Sequence, residues 1–123
     1  MNKLMEIKKM KKALFQARQG DVFIQQVAGD FEIPKEAKPV PQDAGRTVLA
    51  YGEVTGHAHA FGGKKQPLLF RAGDDAMVGY MVIEGLPCTL KHEEHAPIEV
   101  PPGKYIVRGQ REYSPQEIRR VAD

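Results

Sequence analysis

The chain has 123 residues, 41% of them hydrophobic and 28% charged, with a formal net charge of +2 and a single cysteine. That composition excludes a wholly disordered chain, an internal disulfide framework and a strong electrostatic field built for nucleic acid. The longest apolar run, Ala76 to Ile83, is far too short to cross a bilayer, so a small cytoplasmic protein with no membrane partner is expected.

Residues 1–18 carry Lys3, Lys8, Lys9, Lys11, Lys12 and Arg18 against Glu6 alone. Leu4, Ile7, Met10, Leu14 and Phe15 recur at helical spacing, which predicts a basic amphipathic helix or arm over 1–18. Such a segment is either a helix docked on the body or a frayed leader ahead of an in-frame start at Met10, or else an arm for RNA, DNA or anionic lipid. The first pair is favoured, because no aromatic side chains for base stacking are interleaved among the lysines. Gly20 reads as the stop of that helix.

Val22–Val27 is a first strand, rich in β-formers. Between Ala28 and Gly45, Pro34, Pro39 and Pro41 predict a long loop or an edge segment, since proline cannot donate to a ladder. Short strands separated by turn residues follow: Thr47–Val54, His57–Phe61, Pro67–Arg71, Ala76–Ile83, Cys88–His92, Ile98–Val100 and Lys104–Arg108. Ala76–Ile83 is apolar on both faces and is expected to be the most buried strand. The expected fold is all-β, a small barrel or two-sheet sandwich with an N-terminal basic helix over 1–18 and a metal-binding β domain over 19–123.

All four histidines fall into two short clusters, His57-Ala58-His59 and His92-Glu93-Glu94-His95. On a strand, His57, His59 and Phe61 share one face, and on the next candidate Cys88, Leu90 and His92 share one. Turning Phe61 and Leu90 inward brings His57, His59 and His92 toward one interior, and His95 can fold back to join them. Neutral imidazole is the commonest protein metal ligand, so His57, His59, His92 and His95 are the expected ligands of one divalent transition metal: zinc, iron, manganese or nickel. Glu93 and Glu94 are the candidate catalytic carboxylates, with Glu99 a further acid near in sequence. The HEEH string is one residue short of the helical H-E-x-x-H pattern, and Ala96-Pro97 opposes a continuing helix. A metal-free acid/base cluster is the competing reading of the same residues. Cys88 reads first as a core thiol, and is eligible as a ligand only through its shared face with His92.

Two other stretches carry weaker signals. Gly52 to Gly56 reads as a turn into the first histidine pair. Arg108 to Tyr113 groups two guanidiniums and a phenol, which fits a surface charge cluster better than an anion site.

The stretches RQGDVFI, VLAYGEVTGHAHAF, HEEHAPIEVPPGKYIV and QREYSP resemble those of a group of short uncharacterised bacterial and phage proteins, a resemblance that implies no activity. His57 and His59, followed later by Val100-Pro101-Pro102-Gly103, are more loosely similar to the metal-binding cupins, in whose first motif they would be the paired histidines. No glutamate follows within Ala60–Gln66, and Lys104, Tyr105 and Ile106 stand where a cupin places a later histidine.

The function expected is a small metal-binding protein, and, if an enzyme, a metal-assisted hydrolase or oxygenase with Glu93 or Glu94 as base. The alternative is a non-enzymatic structural or assembly protein of the kind phages encode. A small-molecule ligand, a second copy of the chain and, through 1–18 alone, nucleic acid are the partners left open.

Overall fold

The computed structural model describes residues 14–52, 56–73 and 77–109. Among them ten strands form: β1 (Gln16–Gln19), β2 (Val22–Val27), β3 (Ala37–Pro39), β4 (Thr47–Tyr51), β5 (Ala58–Phe61), β6 (Leu68–Ala72), β7 (Val78–Ile83), β8 (Cys88–His92), β9 (His95–Val100) and β10 (Gly103–Gly109). They make a six-stranded sheet ordered β1-β2-β10-β7-β6-β3 and a four-stranded sheet ordered β4-β5-β8-β9. Every pairing is antiparallel.

Period-two alternation decides which side chains meet between the sheets. In β2, Val22 and Ile24 are buried; in β10, Tyr105 and Val107; in β8, Cys88 and Leu90, while Thr89 and Lys91 between them are exposed. Ile24, Phe61, Met81, Leu90, Val100 and Tyr105 are at most 1% exposed and belong to one apolar cluster. Each such side chain contributes roughly 1.5–3 kcal/mol by leaving water. Tyr105 keeps its polar end satisfied by donating its hydroxyl to the Pro101 carbonyl at 2.5 Å, and burial pushes its pKa up to about 12. The same ring takes the Phe15 ring edge-on at 6.2 Å between centroids.

The expected barrel or sandwich with an N-terminal helix is corrected. Neither sheet closes into a barrel, for β1 and β3 are edges of the larger sheet and β4 and β9 of the smaller. The helix expected over 1–18 is absent where the structure describes it: Gln16, Ala17 and Arg18 are strand, paired with Gln25, Ile24 and Phe23. The helix preference of Gln-Ala-Arg-Gln is worth only tenths of a kcal/mol per residue. The open edge of β2 offers a whole ladder, extended by a bond from Gln26 N–H to the Phe15 carbonyl. Residues 1–13 lie outside the described part. No helix among the described residues is long and apolar enough to cross a membrane.

The proline-rich segment is an edge, as β3 pairs only with β6. β7 differs from expectation. Gly79, Met81 and Ile83 are buried but Val78, Tyr80 and Val82, on the face turned away from the main core, are only half-buried, with Phe31 stacked on Tyr80 at 6.1 Å between centroids. The strand buried along its whole length is β5.

Candidate metal centre

β5 supplies the most enclosed histidine. Phe61 enters the main core, while Ala58 and Ala60 on the opposite face pack with Val48 in a separate cluster. His59 shares the Phe61 side by alternation and is 3% exposed. Phe61 stands across from Leu90 and Ala60 from Lys91, so the next step of that ladder faces His59 with His92. In β8 and β9, His92 is paired with His95 across the two-residue Glu93-Glu94 turn. The HEEH string is therefore a β-hairpin turn.

This register lays three imidazoles in a row across β5, β8 and β9. Ring centroids are 4.3 Å apart for His59 and His92 and 4.7 Å for His92 and His95, with His59 and His95 at 5.9 Å. His57 precedes β5, held by a bond from Gly52 N–H to its carbonyl, and its ring meets His92 edge-on at 5.8 Å. All four histidines named from the sequence thus gather at one end of the smaller sheet. Within the cluster, His57, His92 and Glu93 each offer a donor atom within 4.8 Å of the others, a spacing that could hold a metal ion.

The carboxylates divide by position. Glu93 Oε1 accepts from Ala58 N–H at 3.0 Å, and that bond, with a second from its own backbone, holds its carboxyl below the usual range near 4.5. Glu94 Oε2 lies 3.3 Å from His57 Nδ1, while the Glu94 amide donates to His92 Nδ1 at 3.0 Å. Ligation through either nitrogen of His92 gives up that bond, because a neutral ring has one lone pair. Glu99 stands opposite Thr89, away from the turn. Cys88 sits at the core end of β8, where its thiol contacts the Lys65 carbonyl at 3.6 Å and burial raises its pKa. It is not part of the cluster. Of the Arg108–Tyr113 group, Arg108 donates to Gln25 Oε1 at 3.0 Å, and residues 110–113 lie outside the described part.

The sequence reading missed the residues that β1 brings to the site. Gln19, 2% exposed, donates from Nε2 to the carbonyls of Leu90 (3.1 Å) and Ala96 (2.9 Å), and its Oε1 lies 2.8 Å from His59 Nδ1. One side chain thereby ties the larger sheet to β8 and β9 and grips the buried histidine. Asp21, in the turn between β1 and β2, places Oδ1 3.4 Å from His59 Nε2. Burial first, then the His92 ring, lowers the His59 pKa from 6.5 against an opposing pull from Asp21. The signal present is the Gly20-Asp21 pair directly ahead of the β-former run Val22–Val27, a pair that suits a hairpin turn. It is masked because Gln16–Gln19 carries no β-former, so that Gly20 reads equally well as a helix stop.

A trough of about 350 Å³ opens beside the cluster, lined by Arg46, Ala58, Ala60, Lys91, His92 and Glu93. A family model described as a domain of unknown function (DUF8820) matches residues 18–110, and the chain belongs to that family. The matched span includes Gln19, Asp21 and all four histidines. No curated protein and no solved structure matches the chain significantly.

Proposed function

We propose that this protein binds one divalent transition metal ion at the end of the smaller sheet, with His57, His92 and Glu93 as donors and His59 and His95 completing the cluster. The carrying observation is the convergence of those three donor atoms within 4.8 Å. They come from two different segments that the β5–β8 ladder brings together. Neutral imidazole with a carboxylate suits zinc, iron, manganese or nickel. Three protein donors leave a position for water, which fits metal-assisted hydrolysis or oxygen chemistry better than a closed structural site. With Glu93 a donor, Glu94 is the carboxylate left to move a proton. The trough beside the site, with Arg46 and Lys91 on its walls, fits a small ligand carrying negative charge.

Elemental analysis of protein purified without an affinity tag tests the reading. About one transition-metal ion per chain is expected, reduced to a small fraction in His57→Ala/His92→Ala. Protein that neither retains nor takes up such an ion at neutral pH would end it. Water exchange on the bound ion, read by relaxation of solvent protons with manganese loaded, separates an open site from a closed one.

A further inference from the structure

We propose that the trough and the metal centre form one elongated site for a small organic anion, whose acidic group sits between Arg46 and Lys91 while its opposite end faces the ion. The inference rests on the metal-binding reading above and assigns the layout of the ligand that such a centre takes.

The two features are continuous because they share residues. His92 and Glu93 are two of the three donors gathered within 4.8 Å, and both also line the trough. From there the trough follows the outer face of β5, past Ala58 and Ala60 to Gly62. Strand register spaces its cations along that path. Glu93 accepts from Ala58 N–H, and Lys91 is across from Ala60. Arg46 precedes Thr47, whose partner is Phe61, so it stands level with Gly62. At about 3.4 Å per strand residue, the two cations spring from about 7 Å and about 14 Å beyond the donor end. They flank β5 from both sides, Arg46 leading into β4 and Lys91 on β8.

Lys91 alone would be an ordinary solvated residue of an outward strand face. Arg46 is held far more firmly, by Gln66. The Gln66 amide nitrogen donates to the carbonyls of Gly45 at 2.7 Å and Gly63 at 2.8 Å. Its oxygen accepts from Thr47 Oγ1 at 2.7 Å and Gln42 Nε2 at 3.1 Å. All four of its bonding positions are filled, and they pin the residues on both sides of Arg46 to the turn that follows β5. The Asp43 and Arg46 backbones also bond to each other in both directions, at 2.8 and 3.0 Å. Between them Ala44 has φ of +54°, the one non-glycine in that region among the described residues, a conformation disfavoured for a side chain with a Cβ. Among the described residues neither Arg46 nor Lys91 is in an ion pair. Asp43, the acid nearest to Arg46 in sequence, accepts the Tyr51 hydroxyl, and Glu93 is committed to the ion.

This layout selects the ligand. A volume of about 350 Å³ lies at the small end of ligand sites, about 300–1,000 Å³, and two cations make a short patch, too short a track for a polyanion. An ammonium and a preorganised guanidinium suit a carboxylate or a phosphate. Ala58 and Ala60 offer no side-chain hydrogen bond, so the middle of the ligand is apolar. The group facing the ion is therefore separated from the acid by a short hydrocarbon spacer. At Gly62 a Cβ would meet nothing within 4 Å, so the far end of the trough is open to a longer ligand.

Hydroxamates, which chelate such ions, are titrated calorimetrically into the metal-loaded full chain. Succinic, adipic and suberic monohydroxamates are compared with uncharged alkyl hydroxamates of matching length, and a phosphonate-ended set compares the two acid chemistries. Adipic or suberic monohydroxamate should bind about tenfold or more tightly than its uncharged counterpart, the effect of a charge-assisted bond, and succinic should gain little. Arg46→Met and Lys91→Met should each lose that preference while keeping their metal and their affinity for the uncharged probe. Gln66→Ala should weaken the preference in the same way, whereas a merely structural role would lower the melting temperature and leave the preference intact. Acid-bearing and uncharged probes bound alike by wild type, or a preference that survives both Met variants, overturn the inference and leave the metal reading standing. Metal-loaded protein that binds no hydroxamate at all also overturns it, since the ion then has no position open to the trough. Wild-type protein that takes up no divalent transition metal overturns both.

Discussion

The two ends of β8 share one face and one strand but hold opposite environments. At its start Cys88, and at its middle Leu90, lie 3% and 0% exposed in the main apolar cluster. Two residues further, His92 enters a nest of imidazoles and carboxylates. The apolar end is closed by residues of both sheets, among them Ile24, Phe61, Met81 and Tyr105, and contains no group that needs an ion. The polar end is bounded by two hairpin turns, Gly20-Asp21 and Glu93-Glu94, whose side chains are free to serve chemistry because they hold up little of the core. The division teaches that the fold is carried by one end and the site by the other.

Substitutions along β8 sharpen that division most strongly. Leu90→Ala should cost about 3–5 kcal/mol in urea denaturation, a transfer loss plus the cavity it leaves. His92→Ala should cost under about 1 kcal/mol, as surface changes usually do, while removing bound metal. Equal losses for the two would show that the histidine end is part of the core, and that the protein is a fold held together by its metal.

Gln19 joins the two ends, and its replacement should fall between them. Gln19→Leu leaves the Leu90 and Ala96 carbonyls without their donor, at an expected cost of about 2–3 kcal/mol. It should also lower metal affinity, since His59 is then free to exchange tautomers. A merely structural role would move the melting temperature and leave the tautomer, read from ¹⁵N shifts, unchanged.

Much of the site was legible because it depends on local rules. Paired histidines two apart on a strand must share a face, and the HEEH string between extended runs must turn back on itself. The strands from β4 to β10 likewise follow from β-formers bounded by glycine and proline. What escaped depends on contacts between distant segments. Gln16–Gln19 contains no β-former, and only the unpaired edge of β2 makes it a strand. Gln19 lies 40 residues from His59, so nothing local joins them until the two sheets pack. The alternation in β7 is hidden for a related reason: Val78, Tyr80 and Val82 are as apolar as their neighbours but only half-buried.

The smallest effect expected is also the one that isolates the buried histidine, and it is read in metal-free protein as a function of pH. The fold lowers the His59 pKa below 6.5, through burial first and the His92 ring second. Folded protein therefore binds the proton less readily than the unfolded chain does. Stability from the neutral ring is complete above 6.5 and is lost as the pH falls through the folded value, because the unfolded state then binds more protons. Glu93 contributes in a separate window. Its pKa is held below 4.5, mainly by the Ala58 amide, so its share is present above 4.5 and is lost only in stronger acid. Between about pH 7.5 and about pH 5.5, then, the urea midpoint of the metal-free protein should decline. The decline should shrink in His59→Gln, which cannot titrate. A bound ion competes with the same proton, so metal-loaded protein should decline more steeply as it releases metal into acid. A wild-type midpoint that stays flat across this range would mean that His59 is as easily protonated folded as unfolded. The Asp21 carboxylate would then be holding an imidazolium, and the polar end of β8 would be an ion pair in place of a metal site.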